Sequence, residues 1–339
     1  MSRNSLQDSI YKFLMRDIPH RNAINIGEMS ISLGSDVGLS RKDNQDQVVI
    51  LKAQRTEEKS FIIGVLCDGM GGMESGKESA NLTISTFIQS CVLNRNLNVE
   101  DRLFSGVIDA NLLVHNKYDG SGGSTLVAFI LDSDGNSKAI SVGDSRIYAT
   151  TDKTLEQLSK DDTIKADHMK NQLLQYIGIG DDIEPHLIEL PAFNDITKII
   201  LTSDGIHRVN ADVFEQVILN ECSAYKLTNK LIDLSNWCGG YDNASLIVAS
   251  NFESLFDSPI VLKEGTLQLW DSHATSFFIG IDNKNEHIES IREKNIKSKL
   301  DKEKSNAELI CSEEKTKKIK KTNSNKIDKH NRLIFKFDD

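Results

Sequence analysis

Short apolar runs recur along this chain, and four of them meet an aspartate at one end. Phe61-Ile62-Ile63-Gly64-Val65-Leu66-Cys67 stops at Asp68-Gly69. Ala139 to Val142 runs into Gly143-Asp144, and Lys198 to Thr202 into Ser203-Asp204-Gly205. Asp242-Asn243 adjoins Ala244 to Ala249. Runs of this length bounded by turn residues read as buried strands. Ser124 to Leu131 and Arg146 to Thr150 read as further strands. Asp132-Ser133-Asp134-Gly135-Asn136 supplies a hairpin turn, and Thr151-Asp152-Lys153 another turn. Elsewhere the apolar spacing is helical. Ala80, Ile84, Phe87, Ile88 and Cys91 share a face over Ser75 to Cys91, and helices are also predicted over Asp101 to Asn116, Ala211 to Leu219 and Ala224 to Cys238. Ile10, Phe13, Leu14 and Ile18 have the spacing of a short amphipathic helix packed on the domain.

Hairpins dominate the connections, which argues against a doubly wound parallel sheet. The order fits an α+β fold, a four-layer α-β-β-α sandwich of two mainly antiparallel sheets flanked by helices. Changes of texture divide the chain into an N-terminal extension (1–23), a main domain (24–252), a short segment (253–291) and a lysine-rich tail (292–339). The short segment carries Trp270, Phe277 and Phe278, enough for a few strands. Over 292–330 there are 13 Lys and Arg against 7 Asp and Glu. Such a run reads as a solvated helix or disordered tail, with a docking segment for an acidic partner as the sharper alternative.

Composition narrows the function classes. The chain has 339 residues, 39% of them hydrophobic, and a formal net charge of −10. That charge argues against nucleic acid as a general partner. No window approaches the ~18 consecutive apolar residues of a membrane helix, and the first residues lack a signal-peptide core. Cys67, Cys91, Cys222, Cys238 and Cys311 are scattered, with no C-x-x-C pair. Reduced thiols in a cytoplasmic protein are expected.

Carboxylates beside flexible glycines at strand ends suit hard divalent cations. Upstream, Arg41-Lys42-Asp43-Asn44-Gln45-Asp46 sets an arginine beside more carboxylate. Metal plus arginine suggests a phosphate site. Two Mg²⁺ or Mn²⁺ ions about 3.5–4 Å apart can activate a shared water for in-line attack on phosphorus. An arginine fork can hold the phosphoryl oxygens. Singly each motif is weak, since Asp-Gly after a strand is an ordinary turn. Together, in this order and with these strand contexts, they are far more specific.

The set resembles the metal-dependent protein phosphatase family, type 2C, in its bacterial style, from about Ile31 to Ser250. The resemblance is carried by Ser35-Asp36-Val37-Gly38-Leu39-Ser40-Arg41 with Asn44-Gln45-Asp46, by Val65-Leu66-Cys67-Asp68-Gly69-Met70-Gly71-Gly72, and by Gly122-Gly123-Ser124-Thr125. It continues through Ser141-Val142-Gly143-Asp144-Ser145-Arg146 and Asn171-Gln172-Leu173-Leu174 to Ile177-Gly178. Leu201-Thr202-Ser203-Asp204-Gly205 and Gly239-Gly240-Tyr241-Asp242-Asn243-Ala244 complete it. It implies hydrolysis of phosphoserine and phosphothreonine in proteins, with phosphorylated proteins and a cognate Ser/Thr kinase as partners. It further implies that Asp68 bridges two Mg²⁺ or Mn²⁺ ions, that the Gly69 carbonyl, Asp204 and Asp242 are further ligands, and that Asp144 with Asp204 holds a third, weaker ion. Arg41 matches the phosphate-binding arginine and Asp46 an outer-shell carboxylate. The segment from Ser159 to Met169, with Asp161, Asp162, Thr163 and His168, matches a flap over the substrate entrance.

Two positions depart from the pattern. Gln45 stands where the family usually has an outer-shell glutamate, so weaker metal affinity is expected. Met70 stands where some members carry a histidine proposed as general acid, a mark of the bacterial subtype. His207 reads as a surface residue at a helix start, and Cys67 as core packing. A cysteine mechanism has no support without a C-x5-R loop. The rival reading is a pseudophosphatase that binds phosphoproteins or a kinase without turnover, which Gln45 alone favours. A third places function in a partner-recruiting tail.

Overall fold

In a computed structural model of the chain, the structure describes residues 6–16, 19–55, 59–70, 75–164, 172–252, 255–256, 266–273 and 276–280. The lysine-rich tail and Ile18 lie outside them. Two sheets form the centre. One holds six strands in the order β1 (Arg21–Ile26), β2 (Ile31–Asp36), β11 (Ala244–Ser250), β10 (Lys198–Thr202), β7 (Arg146–Thr150) and β8 (Leu155–Gln157). The other holds seven: β13 (Ser276–Gly280), β12 (Thr266–Asp271), β3 (Asp46–Gln54), β4 (Ser60–Asp68), β5 (Leu126–Asp132), β6 (Lys138–Val142) and β9 (His186–Glu189). Every pairing is antiparallel.

Period-two alternation along the strands assigns side chains to layers. On β3, Val49, Leu51 and Ala53 face α1 (Leu6–Leu14), α2 (Gly76–Leu93) and α3 (Val99–Tyr118). Val48 and Ile50 instead join Ile31, Leu33, Ile199, Leu201 and Ile247 in the core between the sheets. On the far face, Ile200, Leu246 and Val248 pack on Phe214 and Ile218 of α5 (Ala211–Leu219) and Leu227 and Leu231 of α6 (Ala224–Trp237). This is the expected four-layer α-β-β-α sandwich.

Caps account for the helix limits. Asn98 accepts a hydrogen bond from the Asp101 backbone N–H, so α3 starts at Val99, two residues before the expected start. Asn210 and Ser223 cap α5 and α6 in the same way. Ile10, Phe13 and Leu14 of α1 are buried in the outer core, as their spacing predicted. α2 is buried on most of its surface, and its Asn81 accepts a bond from Gln47 at 3.0 Å. Ser124 does not lie within β5 but bridges Gly69 and Ile177. The seven-stranded sheet continues past residue 252, because β12 pairs with β3 and buries Leu267 and Leu269. Among the described residues no helix is long and apolar enough to cross a membrane.

Candidate active site

The register brings the acidic positions to one rim. Asp46 opens β3 directly opposite Asp68, which closes β4. In the other sheet Thr202, two residues before Asp204, pairs with Leu246 of β11, two residues after Ala244, and with Arg146 of β7, two residues after Asp144. The sheets meet here: the Ser203 hydroxyl donates to Asp46 Oδ2 at 2.7 Å. The Asn243 side chain knits the loops around it. Its amide donates to the carbonyls of Val37 and Asp43, and its oxygen accepts from the Gln45 N–H at 2.9 Å.

Asp68 is pinned on its backbone. Its N–H donates to Thr125 Oγ1 at 3.0 Å, its carbonyl accepts from the Thr125 N–H, and Thr125 Oγ1 lies 2.7 Å from Ser145 Oγ. The Gly122-Gly123-Ser124-Thr125 motif therefore serves Asp68. Gly69 has a packing reason to be glycine: a Cβ there would come within 2.3 Å of the Gly76 carbonyl oxygen. At Gly205 a Cβ would meet the Asn243 carbonyl oxygen at 2.0 Å. Gln45 packs its side-chain amide over Gly76, and its backbone carbonyl accepts the Gly69 N–H at 3.1 Å.

The carboxylates feel one another. Burial, and then Asp46, Asp204, Asp144 and Asp242, push Asp68 well above the usual carboxylate range. Burial raises Asp46 to about 6, opposed by the Ser203 hydroxyl. Burial raises Asp204 to about 7, opposed by Arg208 and reinforced by Asp144, Asp242 and Asp46. Asp144 is raised chiefly by burial. As placed, no three acidic, histidine or cysteine side chains among the described residues close a metal shell. Asp242 Oδ2 accepts from Arg41 at 2.8 Å, and Asp204 Oδ2 lies 2.6 Å from Arg208.

The donor set nevertheless fits hard divalent cations. Asp46 Oδ1 and Asp204 Oδ1 are buried and meet no hydrogen-bond donor. A buried acceptor left so costs roughly 1–3 kcal/mol. Oxygen-only ligands at a site rich in carboxylate suit Mg²⁺ or Mn²⁺.

The flap positions do other work in this structure. Asp161 is held by Arg146 through contacts of 2.7, 3.0 and 3.1 Å. Asp162 is buried; its Oδ2 accepts from the Gly143 N–H at 2.9 Å and its Oδ1 lies 2.7 Å from His186 Nε2. Thr163 bridges Leu173, and His168 lies outside the described residues. His207 is not on the surface as expected. It is buried against Thr202 Oγ1 at 2.8 Å, and burial pushes its imidazole well below the usual value. Cys67 is buried in β4.

Sequence reasoning missed Arg208, Asn243, Ser203 and Thr125. Arg208 carried a signal, its i,i+4 spacing from Asp204 on α4 (Asp204–His207) and the residue that caps it. The Ser203 and Asn243 contacts are long-range and had none.

No family model matches the chain. It is 24% identical over 245 residues to a putative protein phosphatase 2C-type of Streptococcus pyogenes, covering 66% of this chain and 98% of that one. It is 26% identical over 250 residues to protein phosphatase PhpP of Streptococcus pneumoniae, covering 66% and 97%. Among solved structures, the serine/threonine phosphatase Stp1 of Staphylococcus aureus superposes with a TM-score of 0.59 at 21% identity, over 70% of this chain and 99% of that one. A Ser-Thr phosphatase of Mycobacterium smegmatis, bound to cacodylate, gives 0.54 at 20% identity over 65% and 97%. These structural likenesses establish the fold.

Proposed function

We infer that this chain, a member of the type 2C metal-dependent protein phosphatases of the bacterial kind, removes phosphate from phosphoserine and phosphothreonine in proteins with the help of Mg²⁺ or Mn²⁺. The observation that carries the reading is the convergence of Asp46, Asp68, Asp144, Asp204 and Asp242 on one rim, where burial and then the neighbouring negative charge raise the proton affinity of Asp46, Asp68 and Asp204. Acids so crowded, two of them with undonated oxygens, are organised to receive positive charge.

Asp68, the Gly69 carbonyl, Asp204 and Asp242 would hold a pair of ions, with Gln45 and Asp46 behind them. When bound, such a pair supplies the Lewis acidity that makes water a nucleophile at neutral pH. The chain's own residues do the rest. Thr125 fixes the height of Asp68, and Ser203 orients Asp46. Arg41, exposed at the mouth, is free to exchange Asp242 for a phosphoryl group, where its fork matches two oxygens. Phosphorylated proteins, with a Ser/Thr kinase that makes them, are the partners this reading calls for. Asp161 and Asp162 anchor the root of the flap rather than meeting substrate.

The test is turnover of p-nitrophenyl phosphate and of phosphothreonine peptides in Mn²⁺ and in EDTA, beside Asp68→Asn. Metal-dependent turnover abolished by the substitution is expected. Turnover left unchanged by EDTA or by the substitution would sink the mechanism. Manganese binding without any turnover would favour the rival, a phosphoprotein-binding pseudophosphatase, to which Gln45 points.

A further inference from the structure

We propose that Arg208 supplies, from within the chain, the positive charge between Asp144 and Asp204, so that this protein takes up two divalent ions and has no working third-ion site. The inference rests on the phosphatase reading, which provides the two ions. It departs from that family's pattern in the third.

Arg208 caps α4 one turn beyond Asp204, with its N–H on the Asp204 carbonyl at 3.0 Å. That turn delivers the guanidinium to both acids. Nη2 lies 2.6 Å from Asp204 Oδ2 and 3.5 Å from Asp144 Oδ2. The acids are mostly enclosed, at 10% and 15% side-chain exposure, while Arg208 reaches in from solvent at 45%. Arg146, the other guanidinium nearby, is committed to Asp161 and Tyr148.

The two oxygens of Asp204 are thereby divided. Oδ2 belongs to Arg208, and Oδ1 is buried with no donor, open to an ion on its other side. A divalent ion bridging the Oδ2 atoms of Asp144 and Asp204 would have to stand where the Arg208 guanidinium stands. It would also have to approach a like charge that never leaves, since arginine does not deprotonate in proteins. Expelling the side chain would cost its bonds to both acids. A fixed cation here spares the site from depending on a weakly held one.

The measurement is a count of bound Mn²⁺ on the full chain by equilibrium dialysis at millimolar metal. Wild type is expected to saturate at two ions, unchanged by Asp144→Asn. Arg208→Gln is expected to gain a third ion, which the double variant with Asp144→Asn loses. Arg208→Lys, which keeps the charge, should remain at two. A third ion in wild type that Asp144→Asn removes overturns the inference while leaving the phosphatase reading intact. So does an Arg208→Gln protein, folded by its thermal transition, that still binds two. If wild type binds no Mn²⁺ sensitive to Asp68→Asn, both readings fall together.

Discussion

Ser203 and Asp46 stand 2.7 Å apart, hydroxyl to carboxylate, and through that bond one sheet grips the other where the acids gather. The same hydroxyl accepts the Ser245 N–H at 2.9 Å, so it serves both strands of its own sheet and the facing one. Ser203→Ala would leave Asp46 Oδ2 and the Ser245 N–H buried without partners. Each costs roughly 1–3 kcal/mol. Urea unfolding in EDTA should show a loss of about 2 kcal/mol or more. A change within 0.5 kcal/mol, roughly what a surface substitution gives, would contradict the role assigned to this bond.

Asp46 and Asp204 hold protons to about 6 and about 7, above the 3.8 of an ordinary aspartate. Between about pH 4 and pH 7 these two acids, with Asp68, bind more protons in the native chain than unfolded, which outweighs the buried His207 that binds fewer, so stability falls as pH rises through that window. In EDTA the Tm should drop from pH 5 to pH 8. Mn²⁺ should raise it, and most at the alkaline end, because metal takes the deprotonated acids. Asp204→Asn should flatten the EDTA profile. A Tm in EDTA that climbs over this range would refute the coupling.

Arg41 and Asp68 should separate in kinetics. Asp68→Asn should lower Mn²⁺-dependent turnover by roughly 10²-fold or more, exceeding the 10–100-fold typical of a residue behind the ligands. Arg41→Ala should mainly weaken capture of the phosphoryl group, seen as a fall in kcat/KM on phosphopeptides. Arg41→Lys should recover only part of it, for an ammonium lacks the bidentate fork. Equal activity of the lysine and arginine proteins would remove the clamp from the mechanism.

Asp162 is a structural anchor with a measurable weight. Asp162→Ala would strand the buried Gly143 N–H and release His186. The expected cost is about 1–3 kcal/mol in urea, with Mn²⁺ affinity little changed. A large loss of metal affinity without a loss of stability would move Asp162 into the metal site.

The sequence made the strands that end in aspartate readable because each is a solid apolar run closed by a turn residue. β7 and β10 match their expected limits residue for residue. β2 escaped because Ser32, Gly34 and Ser35 interrupt it, and Gly34 is small because a Cβ would meet Thr228 of α6 at 2.4 Å. β8 and β9 are short and largely polar, with their meaning only in their partners β7 and β6. The acids of the site were legible from local frames. Asn243 and Ser203 were not, since what they do is fixed by distant side chains that local patterning cannot bring together, whereas Arg208 stood one helical turn from Asp204 and could have been read. The contacts of Asp162 were hidden in the same way: it is polar and near a loop, yet it closes a buried turn.

β12 also sets where this polypeptide tolerates shortening. It lies along β3, the strand that begins with Asp46, and Arg16 beyond α1 is tied to its Asp271. A chain stopped at residue 252 would strip the hem from the sheet, bare a row of amide groups on β3, and invite self-association. Such a fragment would lose activity through stickiness rather than through any missing partner. A fair trial of the basic tail must keep every residue to at least Gly280.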